Sequence, residues 1–212
     1  MDRPELSAEL RATRVIAIVR GGDGRRLRLV VDALVEAGVT SIEITLNTPG
    51  ALDAVRALAG TVDVGVGTVR HPDQVEEAAE AGARYVVSPH TSPPIATRAR
   101  TAGLGYFPGA LTPTEVCHAW DLGAVAVKLF PATLGGPRYL REVRAPLDDV
   151  RLVPTGGVTD QTAADFLAAG AVAVGAGGWL VGDALTGGSL PALADRAKRL
   201  LDAARPAAAR PS

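Results

Sequence analysis

The chain has 212 residues, 47% of them hydrophobic and 21% charged, which suits one globular core or at most two small ones. With 22 Lys and Arg against 23 Asp and Glu, the formal net charge is -1, and no basic excess points to nucleic acid or an anionic membrane surface. A single cysteine, Cys117, excludes an internal disulfide framework, and with three scattered histidines it makes no convincing zinc site.

The N-terminal stretch Met1-Asp-Arg-Pro-Glu5 lacks the apolar core of a signal peptide, and no apolar run reaches the length of a membrane span. A soluble, cytoplasmic protein is expected. Val15-Ile-Ala-Ile-Val19 is a continuous apolar run of strand length, broken by Arg20-Gly-Gly-Asp-Gly24. Leu27, Val30, Val31, Leu34 and Val35 follow a helical spacing that Gly38 stops. Ser41-Ile-Glu-Ile-Thr-Leu46 reads as the next strand, and Asn47-Thr-Pro49 ends it and opens a helix to about Ala59.

The same unit then recurs. Strands are expected at Val62 to Val66, Tyr85 to Ser88, Gly105 to Pro108, around Lys128, at Leu152 to Thr155 and at Ala171 to Gly175, each followed by a turn and a helix. Eight such units predict an α/β protein, a single (β/α)8 TIM barrel with eight parallel strands over residues 1–205, and 206–212 as a frayed tail. A doubly wound open sheet is the second choice, but its Gly-x-Gly-x-x-Gly fingerprint after the first strand is missing.

In such a barrel the active site lies at the C-terminal ends of the strands. Arg20, Glu43, Asn47, Thr68, Pro89, Lys128, Gly156-Gly157 and Gly177-Gly178 all fall there. Lys128 stands alone in an apolar run, between Val127 and Leu129. Burial favours the neutral amine, the form that attacks a carbonyl, so Lys128 reads as a Schiff-base lysine. The plain alternative is a strand-end lysine whose ammonium reaches water. Glu43 lies between Ile42 and Ile44, and alternation sends it inward. It reads as a general acid/base beside the lysine or as a structural ion-pair partner of Lys128 or Arg20. Gly65-Val-Gly-Thr68 reads as a strand-end turn able to bind a carboxylate, and Thr155-Gly-Gly157 with Gly175-Ala-Gly-Gly178 as turns able to hold phosphate. Each of these is also ordinary turn chemistry.

Gly38-Val-Thr-Ser-Ile-Glu43-Ile-Thr-Leu, Gly65-Val-Gly-Thr68-Val, Val87-Ser-Pro-His90, Phe107-Pro-Gly109, Lys128-Leu-Phe-Pro-Ala132 and Pro154-Thr-Gly-Gly-Val158 occur in this order. Together, from about Val15 to about Val181, they closely resemble the class I aldolases that cleave 2-keto-3-deoxy-6-phosphogluconate and 4-hydroxy-2-oxoglutarate. The resemblance implies a homotrimeric lyase without metal or redox cofactor. Lys128 would form the imine and Glu43 would move protons. Thr68 and Pro89 would hold the pyruvate portion and Phe130 would wall the pocket. The two glycine turns, Thr155 to Gly157 and Gly177 to Gly178, would take the phosphate.

Two departures stand out. Asn47 replaces the arginine of the gluconate type, and Asn here with Gly136-Pro-Arg-Tyr139 resembles the 2-keto-3-deoxy-6-phosphogalactonate branch. Arg20 would supply the charge lost at Asn47. Gly178 replaces a phosphate-binding serine, which puts the phosphate in question. The rivals are another phosphate-handling barrel enzyme, such as an isomerase or a thiamin-phosphate-synthase-like protein, and a non-catalytic sugar-phosphate-binding barrel.

Overall fold

Period-two apolar runs alternate with helical runs along the chain, and the computed structural model, which describes residues 3–22 and 24–206, turns them into parallel strands and crossover helices. Helix α1 (Ala8–Thr13) precedes β1 (Val15–Val19), α2 (Leu27–Glu36), β2 (Ser41–Thr45), α3 (Ala51–Leu58), β3 (Asp63–Gly67) and α4 (Asp73–Glu80). There follow β4 (Tyr85–Val87), α5 (Pro93–Thr101), β5 (Gly105–Phe107), β6 (Gly109–Ala110) and α6 (Pro113–Asp121). The chain continues through β7 (Val127–Leu129), α7 (Gly136–Arg144), β8 (Leu152–Pro154), α8 (Asp160–Ala168), β9 (Val174–Ala176), α9 (Gly178–Val181) and α10 (Leu190–Ala204). The expected frayed tail lies outside the described residues except for Pro206. Among the described residues, no helix is long and apolar enough to cross a membrane.

The closed eight-stranded barrel expected from the sequence is not what forms. The strands make a six-stranded parallel sheet, in the order β5-β4-β3-β2-β1-β9, and a separate three-stranded sheet, β6-β7-β8. One break falls at Pro108, which has no N–H to donate: the strand expected over Gly105 to Pro108 ends as β5, paired with β4, and Gly109–Ala110, expected as a turn, forms β6, paired with β7. The other follows Pro154, where an isolated bridge from Thr155 to Gly175 spans the gap between β8 and β9. The parallel order follows from the alternation of strands and helices, whereas the number of units alone does not dictate closure.

Two cores flank the strands. Ile42, Ile44, Val127 and Leu129 face the helices with Val30, Leu34 and Leu140. Ile16, Ile18, Tyr85, Val87, Phe107, Val125 and Val153 form an inner cluster, closed at one end by Leu6 and Leu10. Ser7 caps α1 by accepting from the Leu10 N–H at 3.1 Å, and its hydroxyl donates to Asp63 at 2.5 Å. Leu10 is thereby held in the inner core, and truncating such a buried leucine costs about 2–5 kcal/mol. Period-two alternation through the lysine run would put Val125 on the face of Val127 and Leu129, but it packs inward. The regular strand starts only at Val127, after a turn in which Gly123 takes φ 84°.

Candidate active site

Alternation on β2 and β7 decides where the two central residues go. Their apolar neighbours face the helices, so Glu43 and Lys128 point into the interior, where they are 2% and 4% exposed. Lys128 Nζ lies 3.9 Å from Glu43 Oε1 and 5.3 Å from the centre of the Phe130 ring. The first distance is that of an ion pair rather than a hydrogen bond, and Glu43 Oε1 has no hydrogen-bond partner. The ring lies within the range at which a cation is attracted to an aromatic face. The lysine backbone is fixed by donation from its N–H to the Pro108 carbonyl at 2.9 Å.

Glu43 has room because β3 lacks a side chain opposite it. A Cβ on Gly67 would overlap the Glu43 carboxylate, and one on Gly65 would overlap the Tyr85 ring. These glycines were read as a carboxylate-binding turn, yet both lie within β3 and receive protein side chains instead. The signal was present in their period-two spacing on a strand, which marks close approach by a neighbour. Only Thr68 stands beyond the strand. Its φ of 61° is unusual for a β-branched residue, and its hydroxyl accepts from Arg20 Nη2 at 3.5 Å. Strain of this kind persists where surrounding structure imposes it, often at functional sites.

Pro89 and Phe130 line a common cavity of about 280 Å³ with His90, Thr91, Glu115 and His118. Thr155 is buried, donates its N–H to the Leu129 carbonyl at 3.0 Å and accepts from the Ala132 N–H at 2.8 Å. The turn after β8 is thus tied to the end of the lysine strand. A Cβ on Gly156 would touch the Phe130 ring at 3.5 Å, and one on Gly157 would overlap Thr133. The structure therefore joins Lys128, Glu43, Phe130, Thr155 and Gly156 around one interior, with Pro89 beside them and Arg20 paired to Thr68.

Residues 6–190 match the model of the KDPG and KHG aldolase family. The chain belongs to that family. The KHG/KDPG aldolase of Escherichia coli (strain K12) is 37% identical over 178 residues, 82% of this chain and 84% of the relative. A probable 2-dehydro-3-deoxy-6-phosphogalactonate aldolase of Rhizobium meliloti (strain 1021) is 37% identical over 182 residues, 83% of this chain and 85% of its own. The KDPG aldolase of Legionella pneumophila, crystallised with pyruvate captured at low pH as a covalent carbinolamine intermediate, superposes with a TM-score of 0.82 at 26% identity, covering 91% of this chain and 96% of that one. This chain is accordingly an aldolase, a lyase.

Four predicted site residues of the aldolase stand apart from the buried pair. Asn47 is exposed and lines an outer groove of about 580 Å³ with Thr48, Arg56, Gln74 and Glu77. Arg20, expected to supply the charge lost at Asn47, donates to the Thr68 hydroxyl. Gly177 and Gly178 open the short helix α9, with Gly177 packed on Ile18 and open space where a Gly178 Cβ would stand. Tyr85, expected only as the first residue of a strand, is buried beside this site with an unpartnered hydroxyl. Burial first, then the charges of Asp63 and Glu43, hold its phenol well above the ordinary value of 10.0.

Proposed function

We propose that this aldolase cleaves a 2-keto-3-deoxy-6-phospho sugar acid, of gluconate or galactonate type, to pyruvate and glyceraldehyde 3-phosphate. The observation that carries the residue assignment is the buried Lys128–Glu43 pair, 3.9 Å apart. Lys128 Nζ attacks the C2 carbonyl to give a carbinolamine, and loss of water leaves a protonated imine. Glu43 takes the C4 hydroxyl proton, the C3–C4 bond breaks, and its electron pair flows into the imine to give an enamine. Protonation at C3 and hydrolysis release pyruvate and free the lysine. The imine nitrogen serves as the electron sink, so no metal or redox group is needed.

Around this pair, Thr68 and the backbone near Pro89 take the keto-acid carboxylate, with Arg20 adding charge through its contact with Thr68. Phe130 shields the imine from water. The turns at Thr155 to Gly157 and at Gly177 to Gly178 offer backbone N–H groups to the phosphate, and Asn47 contacts the substrate at the rim. The same site accepts 4-hydroxy-2-oxoglutarate, giving pyruvate and glyoxylate. Residues 1–205 form one aldolase domain, and the working enzyme is a cytoplasmic homotrimer.

Borohydride trapping with pyruvate, read by intact and peptide mass spectrometry, tests the assignment. A reduced pyruvyl adduct on Lys128, absent without pyruvate, is the expected result. No adduct on folded protein would replace the imine mechanism with non-covalent binding of a sugar phosphate. Light scattering tests the trimer separately.

A further inference from the structure

Among the buried polar side chains that the reaction above does not use, Tyr85 is left without a partner. Tyr85 on β4 is buried and its hydroxyl has no hydrogen-bond partner, as is true of Glu43 Oε1. Gly65 pairs in register with Glu43 on one side and Tyr85 on the other. A Cβ there would overlap ring carbons Cδ2, Cε2 and Cζ of Tyr85, so the ring lies across β3 with its hydroxyl end over that strand. Phe107 holds the ring from beside it, edge to face, with centroids 5.3 Å apart.

Burial first, then the charge of Asp63 and after it that of Glu43, push the phenol's pKa upward, so these are the two carboxylates to consider as its partners. Asp63 is already engaged. Its Oδ2 accepts from Ser7 at 2.5 Å and Ser41 at 3.0 Å, and its Oδ1 lies 3.5 Å from Arg84 Nε. Glu43 has the free acceptor. A buried hydroxyl and a buried carboxylate oxygen left unmatched each carry a desolvation cost, and two such groups flanking Gly65 on the inner side of the sheet can share one ordered water.

We infer that Tyr85 is a positioning residue for Glu43: its hydroxyl donates, through one buried water, to the carboxylate and keeps Oε1 aimed at the Lys128 amine and its imine. This role rests on the reading of Glu43 as the proton-transfer group. Tyr85 touches no substrate and acts only through that carboxylate.

A double-mutant cycle tests the role. Tyr85→Phe keeps the ring in its slot, so the fold is retained. In the wild-type background it is expected to lower kcat about tenfold, the worth of a hydrogen bond to a charged group, with KM unchanged. In the Glu43→Gln background it is expected to lower kcat no further, and pyruvate still traps on Lys128 in all four proteins. An unchanged kcat in Tyr85→Phe, or the same loss in both backgrounds, would overturn the role while leaving the imine mechanism intact. Failure of the wild-type protein to trap pyruvate would instead remove the reading on which it rests. A rise in melting temperature with unchanged kcat would identify the hydroxyl as a mere unpaired group.

Discussion

The glycines of β3 and Gly178 after β9 both leave out a Cβ, but to opposite ends. On β3 the vacated space is filled by the protein, since Gly65 takes the Tyr85 ring and Gly67 takes the Glu43 carboxylate. After β9, Gly178 faces open space. The first region is closed, and it holds a carboxylate 3.9 Å from a lysine. The second is open, and it sets what the backbone can offer to a ligand. A glycine in this molecule is therefore interpretable only from what would occupy its missing Cβ.

The closed region predicts the largest effects. Lys128→Ala should abolish turnover and the trapped pyruvyl adduct together, because no other amine faces Glu43 at ion-pair distance among the described residues. Retained turnover would show that the chemistry lies elsewhere. Glu43→Gln keeps the shape and loses the base. It should still form some imine while slowing cleavage by about 10²- to 10⁴-fold, measured by comparing single-turnover cleavage with adduct formation. Equal activity would reduce Glu43 to a structural partner of the lysine.

Gly67→Ala tests the same region without touching a functional group. The new methyl would overlap the Glu43 carboxylate, which must swing away or push β2 and β3 apart. Overpacking of this kind costs about 1–3 kcal/mol of stability. A displacement near 1 Å in a catalytic group costs about 10²-fold in rate. A drop in kcat of that order, with pyruvate still trapped on Lys128, is the expected outcome. Wild-type kinetics would mean that the carboxylate does not need its slot over β3.

How far the sequence reveals this depends on whether a feature is local. Strand alternation alone sends Glu43 and Lys128 inward, because Ile42, Ile44, Val127 and Leu129 claim the helix-facing side. The helix starts are equally local: Thr112 and Glu115 form a reciprocal cap at the head of α6. Closure of the sheet is not local. It depends on whether β5 and β8 keep pairing past Pro108 and Pro154, and a count of units carries no information about that. The role of Gly65 and Gly67 is likewise a relation between three strands. Their spacing marks a close approach, but only register shows that Tyr85 and Glu43 are the side chains that approach. Asn47 depends on tertiary placement too, for its position at a strand end did not show that it lines an outer groove.

The open region predicts the smallest effect, and one of opposite sign. Gly178 is the first residue of α9, its φ lies outside the left-handed region, and nothing lies within 4 Å of where its Cβ would be. A serine there meets no steric resistance and adds one hydroxyl donor beside the Gly177–Gly178 backbone. If this turn holds the substrate phosphate, Gly178→Ser should lower KM for the phosphorylated substrate by about 2- to 12-fold, the range of one hydrogen bond worth about 0.5–1.5 kcal/mol. KM for 4-hydroxy-2-oxoglutarate, which has no phosphate, should not move. Steady-state kinetics with both substrates make the comparison internal to one variant. An equal change for both would place the new hydroxyl against the shared keto-acid portion. No change for either would take the phosphate away from α9 and leave the turn at Gly156 and Gly157 to hold it.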